Sequence, residues 1–262
     1  MRRITFLTAA LTVLLAGCAG NPHLLQQAEE PVSQQTMTTE AGQRAKVHTE
    51  LGGLYLSKGN LGVALDEVRK ALSADANYAP AHNLMGLVRM QLRENALAEQ
   101  SFKHALSLAP ADPEINNSFG WFLCQTGREQ LSFQYFQTAI KSPLYATPTM
   151  PYTNAGICAL RLKDDKAAED YFLKALRADA ANARAMYFLA DIAYRQGRLD
   201  DARRYLDDLS QRVEPTAEIL WLGVRTERGL GDRAAEARYA FQLRSKFPGS
   251  PETRRLLQGQ YQ

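Results

Sequence analysis

Three cysteines are the residues whose spacing most directly suggests chemistry in this chain of 262 residues. Cys18 follows an apolar run, residues 4–15, and two small residues, whereas Cys124 and Cys158 lie 34 residues apart in the middle of the sequence. Two thiols outside the reducing cytosol are candidates for a disulfide, and a thiol directly after an apolar leader has a separate context. The places of the cysteines are therefore more informative than their number.

The N-terminus has the organisation of a secretory signal peptide. Arg2 and Arg3 precede the apolar run, which is shorter than the ~20 residues of a spanning helix, and residues 1–17 end on small side chains. The sequence Leu15-Ala16-Gly17-Cys18 resembles the lipobox of bacterial lipoproteins, in which the cysteine is acylated after cleavage. The resemblance implies a stable anchor of three acyl chains, and Ala19 in place of an aspartate implies the outer membrane. The alternatives are a plain signal peptide with an incidental cysteine, or a short buried helix.

Residues 18–44 are predicted to be the lipidated Cys18 followed by a flexible tether. Pro22, Pro31 and a run rich in glutamine, serine and threonine show no helical apolar period. Such a composition buries too little apolar surface to offset the entropy lost on ordering.

The sequence contains no catalytic or metal-binding motif. His48 and His82 are 34 residues apart, which favours equivalent structural positions over a metal pair, and His104 is expected to lie alone on a second helix. Once Arg2 and Arg3 are removed, 29 basic residues oppose 28 acidic ones, so the charge predicts no nucleic-acid partner. We therefore predict a protein that is not an enzyme and that uses no cofactor, metal or small-molecule substrate.

Side chains of similar size recur about every 34 residues. A ladder of small residues comprises Gly52, Gly86, Gly120, Gly156, Ala190 and Gly223. A second small ladder comprises Ala64, Ala98, Ser132, Ala168, Ala202 and Ala235. A bulky ladder lies four residues further on and comprises Val68, Phe102, Phe136, Phe172, Leu206 and Tyr239. Residues four apart share one face of a helix, so the two later ladders belong to the same helix face.

This pattern resembles the tetratricopeptide repeat, a helical hairpin of about 34 residues. One hairpin cannot cover its own apolar face, so the repeats must stack. We predict an all-α, right-handed superhelical solenoid of six repeats over residues 45–250, with first helices lining the concave face. Pro251 starts a C-terminal capping helix and tail at residues 251–262.

One stripe of the first helices is predicted to form a partner-binding groove. Its residues in repeats 1–4 are mostly apolar, with amides between them: Leu56, Asn83, Leu87, Met90, Asn117, Trp121 and Ile157. In repeat 5 the stripe becomes charged: Arg184, Tyr187, Asp191 and Arg195. An exposed tryptophan in a groove is a favoured anchor, and an amphipathic helix or extended peptide would be the occupant. The alternative is that Leu87, Trp121 and Ile157 provide ordinary packing between repeats.

Cys124 and Cys158 are predicted to form a disulfide between the first helices of repeats 3 and 4. Export places both in an oxidising compartment. Strict superposition of the repeats would put Leu160, rather than Cys158, opposite Cys124, so the bridge depends on how the helices cross. The alternative is a pair of buried free thiols.

The lipobox, the polar tether, the six repeats and two specific segments together resemble the PilF/PilW family of type IV pilus lipoproteins, also called pilotins. The segments are Asn116-Asn117-Ser118-Phe119-Gly120-Trp121-Phe122-Leu123-Cys124 and Asn154-Ala155-Gly156-Ile157-Cys158-Ala159-Leu160. The resemblance implies an outer-membrane lipoprotein on the periplasmic face that binds the secretin subunit and promotes its localisation and multimerisation. The alternatives are a repeat lipoprotein of barrel assembly, lipopolysaccharide transport or cell-wall synthesis, and a structural scaffold without a dedicated client.

Overall fold

The computed structural model describes residues 30–143, 145 and 148–261 of the chain. The regular structure of this part consists of helices, with the bounds α1 (Glu40–Ser57), α2 (Leu61–Ala74), α3 (Ala79–Gln91), α4 (Asn95–Leu108), α5 (Pro113–Gln125), α6 (Glu129–Lys141), α7 (Thr149–Arg161), α8 (Asp165–Ala178), α9 (Ala183–Arg195), α10 (Leu199–Ser210), α11 (Ala217–Leu230), α12 (Arg233–Lys246) and α13 (Pro251–Leu257). Cys18 and the predicted signal peptide lie outside the described residues.

The helices pair in chain order into six hairpins, α1–α2 through α11–α12, and each hairpin packs on the next. The first helices also contact one another along the stack, in the pairs α1–α3, α3–α5, α5–α7 and α9–α11. Successive elements of a curved stack are closest on its inner side, so the first helices line the concave face. The predicted all-α solenoid of six repeats is confirmed, although the first repeat begins at residue 40 and not at 45.

The first small ladder and the bulky ladder meet inside the hairpins of repeats 2–6. A Cβ atom added at Gly86 would lie 2.7 Å from the ring of Phe102, and one added at Gly156 would lie 2.6 Å from the ring of Phe172. Repeat 5 has Ala190 at the glycine position, and there the opposing ring is replaced by the smaller Leu206. In repeats 2–6 the two ladders therefore vary together because they share one fixed space between two helices. In repeat 1 the space beside Gly52 is filled by Leu84 of the next repeat, with a side-chain atom 3.0 Å from the added Cβ.

The turns between the two helices of each hairpin place one residue in the left-handed region. Gly59, Gly127, Gly197 and Gly231 occupy this position in four repeats, with φ between +75° and +80°. Arg93 and Lys163 occupy it in the other two, with φ of 63° and 61°. A side chain in this conformation is strained because its Cβ crowds the backbone, so these two turns form at a cost.

Residues 30–39, which we call the N-terminal strap, pack on the solenoid. The Val32 N–H donates to Asp112 Oδ2 at 2.8 Å, and the Ser33 hydroxyl donates to Glu114 Oε2 at 2.5 Å. Val32 and Met37 also pack against a buried cluster formed by Ala45, Ala71, Tyr78 and Ala81. The prediction of a flexible tether over residues 18–44 is therefore wrong for residues 30–44, since residues 40–44 belong to α1.

The C-terminal end of the stack is covered by α13. The Thr253 hydroxyl donates to the carbonyl oxygen of Phe247 at 2.7 Å, and the ring of Tyr261 stacks on Trp221 with centroids 5.7 Å apart. The short helix predicted after residue 250 is thus present and shields the last repeat. Across the described part of the chain, no helix has both the length and the apolar character needed to cross a membrane.

Candidate partner-binding groove

The apolar residues of the predicted groove lie on the first helices of repeats 1–4. Leu56, Leu87, Met90, Trp121 and Ile157 are all partly exposed, and each also packs on a buried cluster beneath it. Packing between repeats is therefore present at these side chains, and their role in partner binding stays a prediction. They support the joints between repeats with one side and present apolar surface to the concave face with the other.

The two predicted groove asparagines are buried and differ from each other in their bonding. Asn117 Oδ1 accepts a hydrogen bond of 3.0 Å from Asn154 Nδ2, which joins α5 to α7. Asn83 is 9% exposed, and its Oδ1 atom has no hydrogen-bond partner within the described residues. A buried carbonyl oxygen without a donor is costly. Asn117 is thus structural, whereas the Asn83 Oδ1 atom is buried without a donor among the described residues.

Trp121 lies where repeats 3, 4 and 5 come together. Its ring packs on the cluster that contains Cys124 and Cys158. From repeat 5, the guanidinium carbon of Arg184 lies 5.7 Å from the centroid of the Trp121 ring. The charged part of the stripe therefore continues directly from the aromatic part.

Cys124 and Cys158 form a disulfide between α5 and α7, with their Cα atoms 5.9 Å apart. Both residues are fully buried. The Asn117–Asn154 hydrogen bond lies on the same two helices. The bridge forms although the two cysteines are offset by two residues when repeats 3 and 4 are superposed. It covalently joins α5 to α7 beside Trp121.

Comparison with known proteins agrees with this architecture. Family models described as tetratricopeptide repeat match residues 79–112 and 159–220. The type IV pilus assembly protein PilF of Pseudomonas aeruginosa is 30% identical over 221 residues, which cover 84% of this chain and 88% of PilF. The chain belongs to the PilF/PilW family.

Solved structures of the PilF/PilW family extend the likeness to three dimensions. The crystal structure of PilW, described as a widely conserved type IV pilus biogenesis factor, has a TM-score of 0.74 at 32% identity, covering 81% of this chain and 98% of PilW. The structure of Pseudomonas aeruginosa PilF has a TM-score of 0.76 at 28% identity, covering 84% of this chain and all of that chain. The protein is therefore a type IV pilus biogenesis protein built on tetratricopeptide repeats.

The three histidines within the described part of this PilF/PilW-family chain have ordinary structural partners. His48 Nδ1 lies 2.7 Å from Glu67 Oε2, and His82 Nε2 donates to the carbonyl oxygen of Ala76 at 2.8 Å. The expectation that His104 lies alone is wrong, because its ring packs edge-on against His82 with centroids 4.2 Å apart. Among the described residues, no group of three or more histidine, cysteine or acidic side chains is placed to hold a metal ion.

Two polar groups on the first helices, Asn154 and Arg225, are not predicted from the sequence pattern. Asn154 lies inside a segment that resembles the family, but its bond to Asn117 depends on the helix crossing. Arg225 lies two residues after Gly223 in the small ladder. In repeats 2–5 the same place holds the fully buried Val88, Phe122, Cys158 and Ile192. The sequence therefore does contain a signal for Arg225, because it is an arginine at a position that is apolar in the other repeats.

Proposed function

We propose that this protein is an outer-membrane lipoprotein that binds the type IV pilus secretin in its concave groove and promotes secretin localisation and multimerisation. Membership of a pilus biogenesis family implies association with the cell envelope. The observation that carries the binding step is the unpartnered Asn83 Oδ1 atom among half-exposed apolar side chains.

The groove has the chemistry to hold an amphipathic helix or an extended segment. Leu56, Leu87 and Met90 offer apolar surface on two neighbouring first helices, α1 and α3. Asn83, on the same helix as Leu87, offers a hydrogen-bond acceptor to a main-chain or side-chain N–H group of the occupant. Apolar anchors with a few placed polar groups are how helical and extended segments are recognised.

The membrane step is assigned to Cys18 and its acyl chains. Because the strap packs on the solenoid from residue 30 onward, only residues 19–29 separate Cys18 from the folded body. A segment of that length spans at most about 40 Å when fully extended. The tether would hold the start of the folded body within that distance of the bilayer, so secretin subunits bound in the groove would be concentrated near the membrane, and a high local concentration favours ring closure.

Binding of purified secretin to the Leu87→Ala variant tests the groove. Leu87 is half-buried in the concave face, and truncation of a binding anchor typically costs ~2 kcal/mol or more, or roughly a thirtyfold loss of affinity. Leu97→Ala is the matched control, because Leu97 is a 43% exposed leucine on the second helix α4.

Thermal melting of both variants separates lost binding from lost stability. We expect Leu87→Ala to bind secretin far more weakly than Leu97→Ala while it remains folded at the assay temperature. Equal affinities of the two folded variants, or the absence of secretin binding by the unmodified protein, would contradict the proposal.

A further inference from the structure

Arg225 on α11 is held between two aromatic rings and pairs with no carboxylate of the described residues. Its guanidinium carbon lies 4.7 Å from the ring centroid of Tyr194 and 5.7 Å from that of Trp221. The Nε atom of Arg225 is buried and has no hydrogen-bond partner within the described residues. Stacking on two rings fixes the plane of the guanidinium but satisfies none of its N–H donors.

The other arginines around the joint between repeats 5 and 6 differ from Arg225 in this respect. Arg195 pairs with Asp165 and Asp191, and Arg203 pairs with Glu227. Arg198 and Arg228 likewise form ion pairs, with Glu169 and Glu236 respectively. An arginine that remains unpaired beside so many acids has not been placed there to stabilise the fold through an ion pair.

Arg184 on α9 is a second arginine of this kind. Its guanidinium lies over Trp121, and no ion pair joins it to another described residue. Burial lowers the pKa of Arg184, and no carboxylate opposes that effect. Arg184 thus lies at the point where the apolar groove continues into repeats 5 and 6.

Acidic side chains surround Tyr187, on the helix that precedes Arg225 in the stack of first helices, and Arg225 itself is half-buried. Asp191, Glu218 and Glu252 are close enough to Tyr187 to raise the pKa of its hydroxyl, after the larger effect of burial, and Arg225 acts on the same hydroxyl in the opposite direction. None of the three acids pairs with Arg225. Asp191 is instead held by Arg195, with its carboxylate oxygen 2.9 Å from Nε.

We propose that the concave face of repeats 5 and 6 binds the carboxylates of an acidic peptide segment, with Arg225 as the main contact and Arg184 as the second. A guanidinium with a fixed plane matches a carboxylate through two parallel N–H···O bonds, which a lysine cannot reproduce. The rings of Tyr194 and Trp221 lie against Arg225, and the ring of Trp121 lies against Arg184. A concave surface between stacked helices admits a peptide chain but does not fit a flat lipid surface.

Tryptophan fluorescence can test this directly, because the chain has only two tryptophans and each contacts one of the two arginines. The probe is an acetylated and amidated peptide, Gly-Leu-Glu-Glu-Leu-Glu-Gly, titrated into the mature protein in mild detergent. Its neutral counterpart has glutamine at every glutamate. We expect the acidic peptide to bind about tenfold or more tightly than the neutral one, and this preference to weaken with added salt.

Substitutions then assign the preference to its residues. Arg225→Gln should abolish the preference, Arg225→Lys should reduce it, and Arg184→Gln should weaken it in part. Arg244→Gln, the same loss of charge at an exposed site on the second helix α12, should leave it unchanged. Circular dichroism of each variant confirms that the helices remain.

Three results would overturn the proposal. The first is equal affinity for the acidic and neutral peptides. The second is a preference that survives in both Arg225→Gln and Arg184→Gln, or that Arg244→Gln removes equally. The third is Arg225-dependent binding of inorganic phosphate or of phosphatidylglycerol vesicles in place of the acidic peptide, which would make this a phosphate site.

Discussion

Gly156→Ala tests whether the close contact between the small and bulky ladders determines the hairpin. The added Cβ would lie 2.6 Å from Phe172 Cε1 and 2.8 Å from two further atoms of the ring. The Phe172 ring is fully buried and stacks on Phe188 with centroids 5.0 Å apart, so it has little room to retreat. Overpacking of this kind costs about 1–3 kcal/mol, whereas replacing a helical glycine by alanine otherwise contributes about 1 kcal/mol of stability.

Gly53→Ala is the matched control for that change. Gly53 is also inside a helix, α1, but no atom lies within 4 Å of its added Cβ. The Gly156→Ala protein should therefore be less stable than the Gly53→Ala protein by about 1–3 kcal/mol. In thermal denaturation this corresponds to a separation of roughly 2–4 °C per kcal/mol for a protein of this size.

A double variant, Gly156→Ala with Phe172→Leu, tests the same contact from both of its sides. Adding Phe172→Leu to Gly156→Ala recreates the combination that repeat 5 uses, Ala190 with Leu206. Phe172→Leu should cost less in the Gly156→Ala background than alone, with a coupling of about 0.5–3 kcal/mol. If Gly156→Ala and Gly53→Ala melt together, or if the two changes are simply additive, the steric explanation of the ladders is refuted.

Three further predictions concern the turns, the disulfide and the strap. Arg93→Gly and Lys163→Gly should each raise the free energy of unfolding by about 1 kcal/mol, because glycine relieves the strain of the left-handed turn; a lower melting temperature would contradict this. Protein in which Cys18 is replaced should show no free thiol when unfolded without reductant, and reduction of Cys124–Cys158 should cost roughly 3–4 kcal/mol; two free thiols would exclude the bridge. Burial raises the pKa of Glu114, so this group stabilises the fold at low pH, and its contribution is lost as the pH rises through the raised pKa. Glu114→Gln should therefore slow hydrogen exchange in the strap, relative to the unmodified protein, at pH 7 but not at pH 4. The same difference between the two proteins at both pH values would contradict this.

The hairpins are predictable from the sequence because their decisive contacts recur in repeats 2–6. A helix that packs closely on a buried ring needs a glycine there, so glycines such as Gly86 and Gly156 recur at nearly the same interval along the chain. The disulfide is predictable in part for the same reason, because the repeats bring Cys124 and Cys158 to neighbouring helices. Its formation still depends on the crossing of α5 and α7, which no spacing in the sequence specifies.

The strap and the Arg225 site are contacts that occur once, and this is why they are harder to predict. Val32 and Met37 are isolated apolar residues in a polar run, and Val32 bonds to Asp112, 80 residues further along the chain. Arg225 breaks an apolar row, but its neighbours Tyr194 and Trp221 become visible only when repeats 5 and 6 are stacked. The 34-residue period predicts the contacts that the repeats share, and it does not predict contacts that form in one repeat only.

Fractionation of cells that carry Cys18→Ala is the most direct test of the central claim. The substitution removes the acyl chains but none of the groove residues, so the protein should still fold, reach the periplasm and bind secretin. We expect the secretin multimers to be lost from the outer membrane and recovered in the inner membrane, while cells with unmodified protein keep them in the outer membrane. Secretin multimers in the outer membrane at the unmodified level, with Cys18→Ala present in equal amount, would contradict the claim that this protein delivers secretin through its lipid anchor.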